Sequence, residues 1–128
     1  MRLLLDTHAL LWWLTKNPSL TVSAQNRLKN RDYTVLVSAA SVWEIATKVR
    51  LGKLDVAIEV VENFGAYLAR ERFEVVSVTA QHAIRAGLLP GPHKDPFDRM
   101  LIAQALAENI PIVSNDRALD GYGAQRLW

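Results

Sequence analysis

The stretch HKDPFDRMLIAQALAEN, residues 93–109, decides the fold and holds two candidate site residues. Leu101, Ile102 and Ala105 follow Asp98 at the spacing of one face of a helix. Asp98 therefore lies at the start of the face that the helix is expected to bury. A carboxylate on a buried face costs free energy unless a cation or a hydrogen-bond donor pairs with it. The stretch thus predicts a helix whose first turn carries a charge in need of a partner.

The composition is that of an ordinary globular protein. The 128 residues are 50% hydrophobic and 22% charged, and the net charge at pH 7 is +2. This length suits one domain, which we expect to span residues 1–128. The weakly basic balance is compatible with a nucleic-acid partner but does not require one. The chain has no cysteine, which excludes disulfides and thiolate sites.

The N-terminal stretch MRLLLDTHALLWWL, residues 1–14, is apolar, but Asp6 and His8 interrupt it. It lacks an unbroken hydrophobic region and a small-residue cleavage site, so we do not expect a signal peptide. No apolar run reaches the length that spans a membrane. We therefore expect a cytoplasmic protein with no membrane partner, and the lack of cysteine agrees with that compartment.

Segments typical of strands alternate with segments typical of helices. Short apolar runs predict buried strands at Leu3–Leu5, Tyr33–Val37, Phe73–Val78 and Ile110–Ser114. A short edge strand is expected at Gln125–Trp128. Helical patterns cover Thr7–Trp13, Thr21–Asn30, Ser41–Gly52, Val56–Arg72, Ala80–Leu89 and Asp95–Asn109. This alternation predicts an α/β fold with a mostly parallel central sheet of four to five strands, flanked by helices on both faces.

Two acids come at the ends of predicted strands. Asp6 follows the first strand directly, and Asp116 follows the fourth. In open parallel sheets, ligands bind outside the carboxyl ends of the strands. The topology is therefore expected to bring these two acids to one rim, although they are far apart in the sequence.

Each acid also has a purely structural interpretation, and taken alone these interpretations stay open. Asp6 and Asp95 are suited to cap the helices that follow them. Glu44 and Lys48 are four residues apart on a predicted helix, which is the spacing of a solvated ion pair. Asp116 is suited to cap the turn after the fourth strand.

Taken together, the acids favour a metal site. Four or five carboxylates on one rim would repel one another strongly without a cation. Carboxylates with no histidine or cysteine partners suit Mg²⁺ or Mn²⁺, and such ions activate water for phosphodiester cleavage. The three histidines show no paired ligand spacing, so zinc is not expected. The sequence also has no glycine-rich nucleotide-binding loop.

Basic and aromatic residues give weaker signals. Six basic residues near the acids in sequence suit a phosphate backbone or, equally, a solvated helix face: Lys48, Arg50, Lys53, Lys94, Arg99 and Arg117. The tryptophans are expected in the core or at a subunit interface. Because Trp12 and Trp13 are adjacent on one helix, they cannot point the same way, and one is expected on a contact surface.

Four segments, in order, resemble the PIN-domain ribonucleases and, more closely, the VapC toxins of toxin–antitoxin pairs. They are DTHALLW at 6–12, SAASVWEIATK at 38–48, HKDPFDRMLIAQA at 93–105 and VSNDRAL at 113–119. Together they span nearly the whole chain. The resemblance implies a single PIN domain and a metal-dependent endoribonuclease. It also implies inhibition by a VapB-type antitoxin and, commonly, a homodimer.

The resemblance implies roles for individual residues as well. The four acids of the family, which hold Mg²⁺ or Mn²⁺ and serve catalysis, match Asp6, Glu44, Asp98 and Asp116. Asp95 matches a supporting acid, which is either a further ligand or only a helix cap. Ser114 and Asn115 match the polar residues that accompany the last acid. Because no acid is missing, a catalytically inactive member is not expected.

Two other functions remain open on the sequence. One is a non-catalytic module that binds RNA or a protein, although the complete set of acids argues against it. The other is a phosphatase with Asp6 as its nucleophile. The haloacid dehalogenase-like pattern has a second acid two residues after the nucleophile, where this chain has His8.

Overall fold

The computed structural model describes residues 1–128, apart from the side chain of Val56. Its strands form one parallel sheet of five, in the order β3-β2-β1-β4-β5. They are β1 (Arg2–Leu5), β2 (Thr34–Ser38), β3 (Glu74–Val76), β4 (Ile112–Val113) and β5 (Arg126–Leu127). The predicted α/β fold with a parallel central sheet is confirmed.

Helices fill the connections between the strands. The α-helices are α1 (Thr7–Leu14), α2 (Val22–Lys29), α3 (Ala39–Arg50), α4 (Ile58–Glu62), α5 (Phe64–Glu71), α6 (Ala80–Leu88) and α7 (Pro96–Glu108). Two 3₁₀ helices cover Asp55–Ala57 and Arg117–Tyr122. None of the helices in the described chain is long and apolar enough to cross a membrane.

The central strand β1 is buried on both faces, which explains its continuous apolar sequence. Leu3 and Leu5 belong to one core with Leu10 of α1, and Leu4 belongs to a second core with Ile102 of α7. Successive side chains of a strand point to opposite faces of the sheet. The division of these leucines between two cores therefore shows that helices cover both faces, as predicted.

The predicted helix over Val56–Arg72 is interrupted. Helices α4 and α5 are separated at Asn63, which has φ −123° and ψ 29°. The side-chain amide of Asn63 donates a hydrogen bond of 3.1 Å to the carbonyl of Glu59. The backbone N–H of Asn63 donates to the same carbonyl at 3.1 Å, so the helical hydrogen bond is kept although the dihedral angles of Asn63 depart from the helix, and the apolar periodicity does not show the break.

Strands β3, β4 and β5 are shorter than the sequence predicts. Strand β4 covers only two of the five residues predicted for it. Pro111 precedes it and has no N–H for a ladder hydrogen bond, although its carbonyl accepts one of 2.9 Å from Leu4. Apolar runs therefore mark the strands but not their ends.

The tryptophans differ from expectation. Trp12 packs edge-on against Trp128 with ring centroids 5.9 Å apart, and Trp13 lies 6.1 Å from the ring of Phe73. Both side chains are partly buried against the core around β1. The exposed tryptophan is instead Trp43 on α3, at 67% exposure.

Candidate metal centre

Asp6 links the carboxyl ends of the neighbouring strands β1 and β4. As the cap of α1, its Oδ1 atom accepts a hydrogen bond of 2.7 Å from the N–H of Ala9. Its Oδ2 atom accepts one of 2.5 Å from the hydroxyl of Ser114, which follows β4. Burial raises the pKa of Asp6 above its usual value of 3.8, and these two hydrogen bonds act in the opposite direction. The capping role is confirmed, and the same carboxylate lies on the predicted rim.

Glu44 is buried rather than solvated. Its Oε2 atom accepts a hydrogen bond of 2.6 Å from Lys48 Nζ, and its Oε1 atom is buried without a hydrogen-bond partner. The Glu44 side chain is only 3% exposed, so the interpretation as a solvated ion pair is wrong. Helix α3 packs against α1, and the hydroxyl of Thr7 on α1 donates a hydrogen bond of 3.0 Å to the hydroxyl of Ser41 on α3. Ser41 lies one helical turn before Glu44, so this packing covers the Glu44 face.

The head of α7 carries the next two acids. Asp95 caps the helix, since its Oδ1 atom accepts hydrogen bonds of 2.8 and 3.2 Å from the N–H groups of Phe97 and Asp98. The pKa of Asp98 is raised to about 6, first by burial and then by the charge of Asp95. The charges of Glu44 and Asp6 add to this rise. Asp98 therefore lies close enough to Asp95, Glu44 and Asp6 for their charges to raise its pKa, whereas the charge of His93 acts in the opposite direction.

Asp116 begins the 3₁₀ helix after β4. Its Oδ1 atom accepts a hydrogen bond of 3.0 Å from Ala118 and caps that helix, as the structural interpretation expected. Its Oδ2 atom lies 3.6 Å from Nε2 of His93. Asn115 is exposed on the same loop, whereas Ser114 is fully buried.

His93 is the functional candidate that the sequence did not reveal. Its Nε2 atom lies 3.3 Å from Asp98 Oδ2, and His93, Asp98 and Asp116 offer ligand atoms that all lie within 4.8 Å of one another. The expectation that the acids have no histidine neighbour is therefore wrong. Spacing along the chain could not show this, because the loop before α7 has no periodicity. The only indication in the sequence was that His93 lies two residues before Asp95, the cap of α7.

Two of the basic residues considered for a phosphate backbone have partners within the protein. Lys48 is paired with Glu44. Arg99 donates to the carbonyls of Leu89 and His93. Lys48 therefore neutralises one of the acids, and Arg99 fixes the loop before α7.

The donor set suits a divalent cation. The carboxylate oxygens of Asp98 and Asp116 lie within 4.8 Å of each other, with the Nε2 atom of His93 beside them. The charges of Asp6 and Glu44 act on Asp98. Although Lys48 pairs with its other oxygen, the buried Oε1 atom of Glu44 has no hydrogen-bond partner, and a buried oxygen in that state calls for a donor or a cation. Oxygen donors of this kind are those that Mg²⁺ and Mn²⁺ prefer.

Comparisons with known proteins agree with this architecture. The PIN domain family matches residues 3–124. Ribonuclease VapC22 of Mycobacterium tuberculosis is 30% identical over 120 residues, covering 93% of this chain and 90% of that protein. The fold is similar to VapBC2 from Rickettsia felis bound to a DNA fragment from their promoter, with a TM-score of 0.73, 20% identity, and 99% and 98% coverage of the two chains. FitAcB from Neisseria gonorrhoeae gives a TM-score of 0.71 with 18% identity, and 98% and 96% coverage.

Proposed function

The chain belongs to the PIN-domain family, and we propose on that premise that it is a metal-dependent endoribonuclease, the toxin of a VapBC-type toxin–antitoxin pair. The observation that carries the proposal is that Asp98 and Asp116, which are far apart in the sequence, offer carboxylate oxygens within 4.8 Å of each other, and burial and neighbouring acids raise the pKa of Asp98 to about 6. Several ionised carboxylates that are buried near one another raise the free energy of the folded protein, and such a site is suited to hold a cation. The 30% identity to a protein named as a ribonuclease supports the same activity.

The acids divide into those that hold the cation and those that position other groups. Asp6 and Asp98 would hold Mg²⁺ or Mn²⁺ directly, with Glu44 and Asp116 as direct or water-mediated ligands. The bound cation supplies positive charge that lowers the pKa of the attacking water and balances the charge of the phosphate. Asp95 acts as the cap of α7, because one of its oxygens already accepts two backbone hydrogen bonds.

The reaction is hydrolysis of an RNA phosphodiester. The oxygen of a water molecule bonds to phosphorus, the bond from phosphorus to the leaving sugar oxygen breaks, and the proton that the water loses is balanced by one that the leaving oxygen gains to become a hydroxyl. Glu44 is suited to orient the water, since its Oε1 atom is free while Lys48 fixes the other oxygen. Ser114 holds the Asp6 carboxylate in one orientation, and Asn115, which is exposed beside Asp116, is suited to contact the RNA.

The phosphatase alternative is disfavoured by the surroundings of Asp6. Both of its carboxylate oxygens accept hydrogen bonds, and the residue is 5% exposed. A nucleophile needs an accessible, uncommitted oxygen that can reach phosphorus. The geometry of Asp6 therefore disfavours a nucleophile.

The proposal includes two protein partners. A VapB-type antitoxin would inhibit the nuclease in the cytoplasm, and two copies of the chain would form a homodimer. Large apolar side chains exposed on α3 and α6 support protein interfaces: Trp43, Ile84 and Leu88. The named VapBC2 and FitAcB structures share this fold.

Digestion of total cellular RNA tests the activity. The purified, antitoxin-free chain is incubated with Mg²⁺ or Mn²⁺ and, separately, with EDTA. We expect discrete fragments that require the cation and that disappear in Asp98→Asn. Asp32→Asn is the matched control, because Asp32 is exposed and lies before β2, at the opposite end of the sheet. A folded protein that binds RNA equally well in EDTA and never cleaves it would instead be a non-catalytic binding module.

A further inference from the structure

The loop before α7 places the imidazole of His93 at the edge of the acid cluster. Its Nε2 atom faces Asp98 Oδ2 at 3.3 Å and Asp116 Oδ2 at 3.6 Å. This nitrogen is shielded from solvent and meets hydrogen-bond geometry with neither oxygen. A buried polar atom without a partner calls for an explanation, and this one lies beside two of the acids proposed to hold the cation.

The other ring nitrogen indicates where the proton lies. Nδ1 of His93 accepts a hydrogen bond of 3.3 Å from the N–H of Asp95. A nitrogen that accepts must carry a lone pair, so the neutral ring has its proton on Nε2. His93 therefore presents an N–H donor to the site. Binding of a cation through Nε2 would require the opposite tautomer and the loss of the Asp95 contact.

Two residues outside the cluster hold the loop in this position. Arg99 donates to the carbonyls of Leu89, Gly91 and His93, at 2.9 Å for His93. The hydroxyl of Tyr122 accepts a hydrogen bond of 2.7 Å from the N–H of His93. The imidazole is thus oriented by its backbone and by Nδ1, without any bond from Nε2. A donor fixed before the substrate arrives needs no reorganisation during the reaction.

We propose that His93 is a catalytic residue whose Nε2–H donates a hydrogen bond to an oxygen of the scissile phosphate, an inference that rests on the proposed ribonuclease function. Negative charge builds up on the phosphate oxygens as water attacks, and a positioned donor stabilises it. When Asp98 and Asp116 hold a cation, their oxygens are occupied, and the Nε2–H is left for the substrate. No proton transfer from His93 is required, since the group acts as a donor throughout.

The test compares His93→Ala, which removes the donor, with His93→Gln, which keeps a side-chain N–H. Asp32→Asn is the control, because Asp32 is exposed at the opposite end of the sheet. The rate of formation of a cleavage fragment from total RNA is measured with enzyme in excess. We expect His93→Ala to lower this rate by about 100-fold to 1,000-fold, His93→Gln to recover at least about tenfold, and Asp32→Asn to stay within about threefold.

A second readout does not depend on cleavage. The Mn²⁺ affinity of each variant is measured from the rise in its melting temperature, and we expect it to stay within about threefold of the unsubstituted chain. A loss of affinity of about tenfold or more would make His93 a cation ligand and overturn the proposal. An unchanged cleavage rate in folded His93→Ala would overturn it as well. If the unsubstituted chain itself cleaves no RNA, the proposed function fails, and this inference fails with it.

Discussion

The hydroxyl of Ser114 donates a hydrogen bond of 2.5 Å to Oδ2 of Asp6, although 108 residues separate the two in the chain. The contact joins the ends of β1 and β4, which pair in parallel with Leu5 beside Val113. The same hydroxyl oxygen accepts a hydrogen bond of 3.0 Å from the N–H of Asp116. One buried side chain therefore orients both the first and the last acid of the candidate site.

Replacement of this hydroxyl tests its contribution. Ser114→Ala leaves Oδ2 of buried Asp6 without its donor, so we expect the free energy of unfolding to fall by about 1–3 kcal/mol. The cleavage rate is expected to fall by about tenfold, since a supporting partner of a ligand is lost. Urea denaturation and the RNA digest measure the two effects. Exposed Ser23 gives the control Ser23→Ala, which should change stability by less than about 0.5 kcal/mol, and equal effects of the two substitutions would contradict the prediction.

The raised pKa of Asp98 predicts that pH changes the stability of the protein in opposite directions without and with a bound cation. Its pKa is raised from 3.8 to about 6, mainly by burial and by Asp95. The folded protein therefore binds this proton more tightly than the unfolded chain. The contribution of Asp98 to stability is present below pH about 4, falls as pH rises to about 6, and stays low above that. The burial of Asp6, whose pKa is also raised, acts in the same direction.

A cation selects the ionised carboxylates, so it is expected to reverse this trend. We expect Mn²⁺ to raise the melting temperature only slightly at pH about 5 and much more at pH about 7.5. In Asp98→Asn without a cation, the melting temperature at pH about 7.5 should be about 3–6 °C above that of the unsubstituted chain, because a buried charge has been removed. Calorimetric scans with and without Mn²⁺ measure both effects. An equal response to Mn²⁺ at the two pH values would exclude Asp98 as a ligand.

The sequence predicted those parts of the site that follow from topology. Asp6 and Asp116 come at the ends of apolar runs, and a parallel sheet brings such ends to one edge. Asp98 follows from the helical spacing of the apolar residues after it. These predictions needed only local patterns and the general geometry of parallel sheets.

The sequence could not predict the features that depend on distant packing. Glu44 is buried because α3 packs against α1, and its i, i+4 partner gives no sign of this. His93 reaches the acids because Arg99 and Tyr122 fix the loop that carries it. In each case contacts between segments decide the outcome over local preference.

Lys48 is expected to stabilise the ionised form of buried Glu44. Lys48→Met removes the only hydrogen bond that the structure gives this carboxylate, and we expect the free energy of unfolding to fall by about 1–3 kcal/mol. This is below the loss typical of a fully buried pair, because the Lys48 side chain is 34% exposed. Mn²⁺ should restore part of the loss by supplying charge. The double variant Lys48→Met with Glu44→Gln should recover most of the lost free energy of unfolding. If it does not, the packing of the lysine stem, and not its charge, is what stabilises the protein.

Gly91 tests whether the loop that carries His93 must keep its conformation. Its φ is +117°, and an added Cβ would lie 2.5 Å from a ring carbon of Tyr122, the residue whose hydroxyl binds the His93 N–H. Gly91→Ala should therefore shift the loop, lower the free energy of unfolding by about 1–3 kcal/mol and reduce cleavage at least tenfold, with little change in Mn²⁺ affinity. Gly87 lies in α6, and an added Cβ would meet nothing within 4 Å, so Gly87→Ala should raise stability by about 0.5–1 kcal/mol. Urea denaturation and the RNA digest compare the two variants. If Gly91→Ala cleaves RNA as fast as Gly87→Ala, the position of His93 does not control the reaction.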